Sequence, residues 1–257
     1  MMVVDYLKYQ LNALDAYSLH SPFVFDFFNQ VLLQSNRNKH SDIIELQRKK
    51  WLNNLDSIEV ADFGAGSKGK IKSTRKVSDM ARNSLVKPKY GRMLYQIAKH
   101  YDCKNILELG TSLGIGSAYL ALSNPLCHIT TIEGCPNTAA LAQETFKQLN
   151  LTNVELIVGQ FDDVIPQIIN QKNYFDLIFI DGNHRSPAML KYFELLLPQL
   201  SEQSIVIFDD IHWNADMKQG WENIKLHPHV TLSINVFQMG ITFFHSQRAK
   251  QHFTLKY

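Results

Sequence analysis

The chain has 257 residues, 45% of them hydrophobic, and a formal net charge of +2, enough for one sizeable core and an accessory segment. No run of about 18 apolar residues exists, which excludes a transmembrane helix, and the first residues lack the charged-then-apolar order of a signal peptide. We therefore expect a soluble, cytoplasmic protein. The three cysteines lack metal-type spacing and indicate reduced thiols.

The first 56 residues read as an N-terminal helical segment. Apolar residues recur at helical spacing from Val3 to Tyr17 and again from Ile43 to Leu52. Between these two stretches, Ser21-Pro22 is typical of a helix cap and first turn. We predict helices over all three stretches.

Residues 57–85 contain a second acid-and-glycine pattern. Asp62, Gly64 and Gly66 resemble a cofactor loop, but the segment that follows, Lys68 to Lys76, is basic and irregular and leads to no second strand ending in an acid. We predict a glycine-hinged flap over 57–85, with ligand contact through Asp62 as an alternative.

Basic residues are concentrated between positions 68 and 92. This stretch contains one acid, Asp79, and nine basic residues, Lys68, Lys70, Lys72, Arg75, Lys76, Arg82, Lys87, Lys89 and Arg92. Such a run is either a solvated helix face or a surface for an anionic substrate or nucleic acid.

From about residue 86 the pattern alternates between helix and strand up to the C-terminus at 257. Strands are predicted near 105–109, 128–133, 153–158, 175–181, 204–209, 232–237 and 241–245, and only Gln238-Met-Gly240 separates the last two. This order predicts an α/β fold, a Rossmann-like doubly wound seven-stranded sheet with a terminal antiparallel hairpin.

The glycine-rich stretch Asn105-Ile-Leu-Glu-Leu-Gly-Thr-Ser-Leu-Gly-Ile-Gly116 follows the first of these strands. Its spacing suits either a dehydrogenase or a methyltransferase, and the acids distinguish the two. Glu108 would repel a pyrophosphate but can serve a cofactor that carries an ammonium group, and Glu133 ends the second strand, where a carboxylate can accept hydrogen bonds from ribose hydroxyls. We interpret the loop as an S-adenosylmethionine site.

Acids follow two later strands as well. Asp181 ends the strand that begins near Phe175, and Asp209 and Asp210 end the next one. Neighbouring strands would bring these carboxylates to one rim, where a divalent cation such as Mg²⁺, a shared proton or a basic substrate would relieve their repulsion. His184 or His212 as a further ligand would favour a transition metal, and capping of the next turn is the alternative for Asp209 and Asp210.

Residues from about Lys87 to His245 resemble the class I S-adenosylmethionine-dependent methyltransferases, and among them the small catechol and caffeoyl-coenzyme A O-methyltransferases. The resemblance implies that the cofactor-binding residues include Glu108, Gly110, Thr111, Ser112, Gly114, Gly116, Glu133, Gly134, Gln160, Phe161 and Asp181. It also implies a metal held by Asp181, Asp209 and Asp210, although the family has asparagine at the last position. His184 stands where the family has a catalytic lysine, so we expect His184, with Asp181, to serve catalysis.

The predicted activity is methyl transfer to an oxygen, or else a nitrogen, of a small or medium-sized acceptor. If the acceptor is anionic, the basic stretch would suit it. A nucleic-acid methyltransferase that uses residues 68–92 and a non-catalytic cofactor-binding protein are the alternatives. We expect no membrane partner, and the sequence leaves a homodimer open.

Overall fold

The computed structural model describes residues 2–35, 41–62, 71–170, 174–246 and 249–257. The N-terminal part contains α1 (Met2–Asn12), a 3₁₀ turn (Ala16–Ser18), α2 (Pro22–Asp26), which continues as a π-helix (Phe27–Leu33), and α3 (Asp42–Asn53). Helix α1 ends earlier than predicted, because Leu14 pairs with Leu255 in an isolated β-bridge. In the described part of the chain, no helix is long and apolar enough to span a membrane.

A two-stranded antiparallel hairpin follows, made of β1 (Ser57–Asp62) and β2 (Ile71–Lys76), with Ser57 paired to Lys76. The expectation that the basic stretch up to Lys76 is irregular is therefore wrong for its last six residues, which pair with β1. Residues 63–70, which include the glycines of the second acid-and-glycine pattern, lie outside the described residues. The chain continues into α4 (Val77–Ser84) and α5 (Pro88–His100).

The large sheet carries the alternation of strand and helix that the sequence predicts. Its elements are β3 (Asn105–Leu109), α6 (Ile115–Ala121), β4 (His128–Glu133), α7 (Pro136–Gln148), β5 (Val154–Val158), α8 (Phe161–Ile169), β6 (Phe175–Ile180), α9 (Ser186–Leu196), a 3₁₀ turn (Leu197–Gln199), β7 (Leu200–Phe208), α10 (Ala215–Leu226), β8 (Leu232–Asn235), β9 (Gly240–Phe243) and β10 (Gln251–Thr254).

The strand order is β10-β8-β9-β7-β6-β3-β4-β5, and all neighbours are parallel except those of β9. The doubly wound sheet with a terminal antiparallel hairpin is confirmed. It has eight strands rather than seven, because the C-terminal β10 adds to its edge beside β8.

Two apolar layers cover the sheet, and alternation along each strand assigns side chains to them. Ile106 of β3 belongs to the layer that includes α5, α6 and residues of α2 and α3, while Leu107 and Leu109 belong to the layer with α8, α9 and α10. The N-terminal helices therefore share one core with the sheet. Trp51 of α3 donates to the hydroxyl of Thr145 in α7 at 2.9 Å, and this hydroxyl donates to the carbonyl of Leu113, in the loop after β3, at 2.6 Å.

The C-terminal tail holds α1 in place. The hydroxyl of Tyr9 donates to the Leu255 carbonyl at 2.5 Å and accepts from the Tyr257 amide at 3.0 Å, and Asp5 pairs with Lys218 of α10. These contacts fix α1 beside the carboxyl ends of the strands.

Candidate functional site

A cleft of about 1130 Å³ lies at the carboxyl ends of the parallel strands. Its walls come from the loops after β3 to β7, and also from α1, the β1–β2 hairpin, α4 and the β8–β9 connection. Open α/β sheets bind ligands at this edge, where the chain turns from strand to helix.

Unpartnered polar groups are concentrated in this cleft. Five residues that line the cleft each have a buried side-chain nitrogen or oxygen atom with no hydrogen-bond partner among the described residues, namely Thr138, Asn183, Asp209, His212 and Gln238. Buried polar groups are nearly always paired in folded proteins. The cleft therefore has the polar groups of a site that a ligand or solvent completes.

The turn after β3 needs glycine for reasons internal to the fold. Gly110 has a φ of +106°, and a Cβ there would lie 2.0 Å from the carbonyl oxygen of Asp181. Gly114 also has a positive φ, and a Cβ at Gly116 would lie 2.7 Å from a Glu108 oxygen. Of these three glycines, only Gly110 lines the cleft.

Glu108 and Thr111, both predicted to contact the cofactor, are buried behind the loop and do not line the cleft. The Glu108 carboxylate accepts hydrogen bonds from Ser117 and from Thr131, the latter at 2.6 Å, and Thr131 is also 2.7 Å from the Thr111 hydroxyl. Burial raises the pKa of Glu108 to about 7. As it stands, this carboxyl group holds β3, β4 and α6 together beneath the loop.

Glu133, Gly134 and Ser112, which are also predicted to bind the cofactor, line the cleft. The Glu133 carboxylate accepts hydrogen bonds from the amides of Ser112 at 3.0 Å and Cys135 at 2.9 Å. Burial raises its pKa, against the effect of these hydrogen bonds. The acid at the end of β4 thus organises the turn after β3 and presents a charged edge to the cleft.

Gln160 and Phe161 lie at the same end of the cleft. Gln160 is exposed at the N-cap of α8, and the Phe161 ring packs against Tyr192 at a centroid distance of 5.5 Å. A Cβ at Gly182 would lie 2.6 Å from the Phe161 ring, so the glycine lets the turn after β6 approach it. An amide beside an aromatic ring suits a flat heterocycle with polar edges.

The three rim acids meet as the strand order requires. Ile180 of β6 pairs with Phe208 of β7, so the residues that follow them, Asp181 and Asp209, lie side by side. Burial and the charges of Asp209 and Asp210 raise the pKa of Asp181 well above its ordinary value, and burial with the Asp210 charge raises that of Asp209 to about 7. Burial and like charge therefore disfavour the ionised form of both carboxylates.

Asp210 has a different environment from the other two. Burial raises its pKa, while the charges of His184 and Lys87 oppose that shift, and His184 Nδ1 lies 3.8 Å from an Asp210 oxygen. Within the described residues, no group of three His, Cys, Asp or Glu side chains is arranged to hold a metal ion. The rim has the charge that a cation would neutralise, but in this arrangement its side chains do not fit a three-ligand metal centre.

An aromatic wall, which the sequence did not predict as a unit, faces the rim acids. Tyr6 of α1 contacts Phe237 at 4.9 Å between ring centroids, His212 stacks on the other side of Phe237 at 5.2 Å, and Trp213 lies 6.4 Å from His184. All five residues line the cleft. Phe237 has a φ of +71°, a rare conformation for a bulky residue that often marks a functional turn.

The predicted flap contributes to the cleft through its described residues. Val60 and Ala61 of β1 and the residues from Thr74 to Lys76 line it, and Ser84 at the end of α4 is 2.8 Å from the Ser112 hydroxyl. The main chain of Asp62 ends β1, and its side chain lies outside the described residues. The hairpin thus forms part of the cleft wall and α4 contacts the turn after β3, while the role of residues 57–85 as a moving lid stays a prediction.

Comparison with known proteins gives a consistent result. Residues 107–211 match the family model described as a methyltransferase domain. Over 129 residues the chain is 32% identical to a catechol O-methyltransferase of Niastella koreensis, which covers 49% of this chain and 58% of the relative. Over 107 residues it is 32% identical to a tRNA (guanine-N(7)-)-methyltransferase of Mycoplasma mobile, covering 39% and 53%. The matches therefore span little more than half the length of these two relatives.

Among solved structures, the fold is similar to an O-methyltransferase from Bacillus cereus in complex with S-adenosylhomocysteine. The TM-score is 0.54 and the identity 26%, over 63% of this chain and 83% of that one. The similarity extends over most of that enzyme, while more than a third of the present chain lies outside it.

Proposed function

We propose that the chain is a class I S-adenosylmethionine-dependent methyltransferase and that it transfers the methyl group of S-adenosylmethionine to an oxygen of a small or medium-sized acceptor. One observation carries this proposal. The predicted cofactor residues Ser112, Glu133 and Gln160 line the same cleft as the predicted base His184. Asp181, which also lines it, follows β6, the strand that pairs with β3.

The cofactor half of the cleft suits the parts of S-adenosylmethionine. Glu133 would accept hydrogen bonds from the ribose hydroxyls, and Gln160 and Phe161 would flank the adenine. The main chain at Gly110 would pass close to the methionine part. This arrangement leaves the aromatic wall of Tyr6, Phe237 and Trp213 for the acceptor, and such a wall favours a planar molecule.

The reaction is an in-line displacement. The acceptor oxygen forms a bond to the methyl carbon, the bond from carbon to sulfur breaks, and the electron pair stays on sulfur. His184 takes the acceptor's proton, and the carboxylate of Asp210, 3.8 Å from Nδ1, stabilises the imidazolium that results. Walls that exclude water complete the contribution of the protein.

A divalent cation at the rim stays a second part of the proposal. The residues predicted to hold it are Asp181, Asp209 and Asp210, which follow the neighbouring strands β6 and β7. A bound Mg²⁺ would lower the pKa of a coordinated acceptor hydroxyl. Because the present side-chain arrangement does not fit a three-ligand centre, no step above depends on the metal.

Transfer of a labelled methyl group tests the proposal. The protein is incubated with radiolabelled S-adenosylmethionine and a panel of phenols, aromatic amines and bulk RNA, and the labelled product is identified. We expect label on a phenolic oxygen, with S-adenosylhomocysteine as inhibitor. Label on RNA alone would instead favour the activity named for the Mycoplasma mobile relative, and cofactor binding without product would favour a non-catalytic protein.

A further inference from the structure

We propose that the cleft contains an anion-binding subsite formed by Lys76 and Lys87, and that the methyl acceptor carries a carboxylate, phosphate or sulfate group. That the bound anion is a methyl acceptor rests on the proposed function. That the cleft binds an anion rests on the charges of its lining residues. Both lysines are exposed and line the cleft.

Charges of opposite sign are separated across the cleft. Four lining acids, Glu133, Asp181, Asp209 and Asp210, follow the strands β4, β6 and β7, and Asp162 of α8 also lines the cleft. The lining cations Arg75, Lys76, Arg82 and Lys87 all lie between the end of β2 and the start of α5, a segment that also contributes the lining acid Asp79. A cleft with low-dielectric walls strengthens the field of such a one-sided arrangement. One wall is therefore attractive to anions.

The four cations differ in how they are already engaged. Arg82 forms an ion pair with Asp79 at 2.8 Å, and Arg75 donates to Ser73 at 3.2 Å. Lys76 forms no ion pair with any described residue, and Lys87 experiences only the longer-range attraction of Asp210. The two lysines are thus the cations available to a ligand.

The positions of these lysines do not serve the helices they precede. Lys76 is the N-cap of α4 and Lys87 the N-cap of α5, and neither makes a side-chain capping bond. Positive charge is unfavourable at the positive end of a helix dipole, where serine, threonine, asparagine and aspartate are preferred. Arg185, the N-cap of α9, is a third basic residue at such a position, but it does not line the cleft, whereas Lys76 and Lys87 both do. We therefore assign these two lysines to binding.

The backbone that carries the lysines is firmly anchored. Val77, Met80 and Ala81 of α4 are buried, and the amides of Val77 and Ser78 donate to the carbonyls of Asp56 and Asn54 at 2.9 Å. Lys87 precedes Pro88, which fixes the first turn of α5. Both side chains therefore extend from fixed points of the wall.

Binding to the protein saturated with S-adenosylhomocysteine tests the subsite without turnover. The probes are 4-hydroxybenzoate, its neutral counterpart 4-hydroxybenzamide and the cation 4-hydroxybenzylamine, measured by calorimetry at 20 and 300 mM NaCl. We expect the benzoate to bind at least about fivefold more tightly than the amide at low salt, which corresponds to two exposed ion pairs. The preference should shrink at high salt.

Variants assign the preference to the two lysines. K76Q/K87Q should bind benzoate and benzamide equally, whereas K99Q, an exposed lysine at the other end of α5 that does not line the cleft, should retain the preference. Thermal melting and binding of S-adenosylhomocysteine control for the fold. Equal binding by the wild type, tightest binding of the amine, or a preference that survives in K76Q/K87Q would each overturn the proposal.

The outcomes also separate this proposal from the proposed function. If the protein prefers benzoate but methylates no acceptor, the anion subsite is supported and the proposed function is not. If it methylates neutral and anionic phenols equally, the proposed function is supported and the anion subsite is not. RNA binding with a steep salt dependence that disappears in K76Q/K87Q would assign the lysines to nucleic acid and overturn the small-acceptor proposal.

Discussion

Glu108 should make the stability of the protein fall as the pH rises. Burial raises its pKa from an ordinary value of 4.5 to about 7. Between these values the folded protein holds a proton that the unfolded chain has released, so the stabilising contribution is full below pH 4.5 and is lost as the pH rises through about 7. The full shift corresponds to about 3 kcal/mol.

The test compares wild type with Glu108→Gln, which keeps the shape of the side chain and cannot ionise. Urea unfolding at pH 5 and pH 8, without cofactor, gives the free energy of unfolding at each pH. From pH 5 to pH 8 the free energy of unfolding of the variant should increase by about 2 to 3 kcal/mol relative to that of the wild type. Comparing two proteins largely cancels the contributions of Asp209 and Asp210, whose pKa values are also raised. The difference includes a smaller effect on Asp181, because the Glu108 charge also raises the pKa of Asp181.

A matched control is Glu144→Gln, on the exposed side of α7, which should leave the pH dependence unchanged. Parallel curves for wild type and Glu108→Gln would refute the reasoning, because they would mean that Glu108 is already ionised in the folded protein. The same unfolding measurements with S-adenosylhomocysteine bound provide a second test. Its ammonium group, if it lies near Glu108 as the family resemblance implies, should favour the ionised form and flatten the wild-type curve.

Four further predictions concern the cleft. Glu133→Ala should weaken S-adenosylhomocysteine at least about tenfold by calorimetry, since two charge-assisted hydrogen bonds are lost, while unchanged affinity would place the ribose elsewhere. Gly110→Ala should lower the melting temperature more than Gly116→Ala, because its Cβ would meet backbone at 2.0 Å rather than a side-chain oxygen, and the opposite order would contradict the turn geometry. His184→Gln should lower kcat by about 10² to 10⁴ with little change in S-adenosylhomocysteine affinity, and full activity would remove it as the base. Mg²⁺ at a hundred times its Kd should add about 2.7 kcal/mol of stability that chelation removes and Asp209→Asn reduces, and a melting temperature indifferent to both would exclude the rim cation.

The sequence predicted the centre of the sheet well and its margins less well. Strands β3 and β4 have the predicted bounds, because buried parallel strands are continuous apolar runs between clear turn residues. Strand β10, Gln251–Thr254, was missed because it is short, polar and exposed, and it is a strand only through pairing with β8. The β2 strand was missed for a similar reason, since its basic residues pair only with β1.

Burial of the site residues could be predicted only in part. Glu108 was predicted to contact the cofactor, but alternation along β3 places it on the same face as Ile106, toward α6, and it lies behind the loop. The approach of Asp181 to Asp209 followed from strand order alone. The contact of Tyr6 with Phe237 could not be predicted, because more than 200 residues separate them and the C-terminal tail brings α1 to the cleft.

The position of the cleft residues along the chain explains why sequence similarity identifies the cofactor more readily than the acceptor. The matched methyltransferase domain, residues 107–211, contains Glu133, Gln160 and the rim acids. Tyr6, Phe237 and the two lysines of the anion subsite all lie outside it. The acceptor side of the cleft is therefore built mainly from segments that the family match does not describe. Its specificity should follow from α1, α4 and the β8–β9 connection, and variants in these elements should change KM for the acceptor while leaving S-adenosylhomocysteine affinity unchanged.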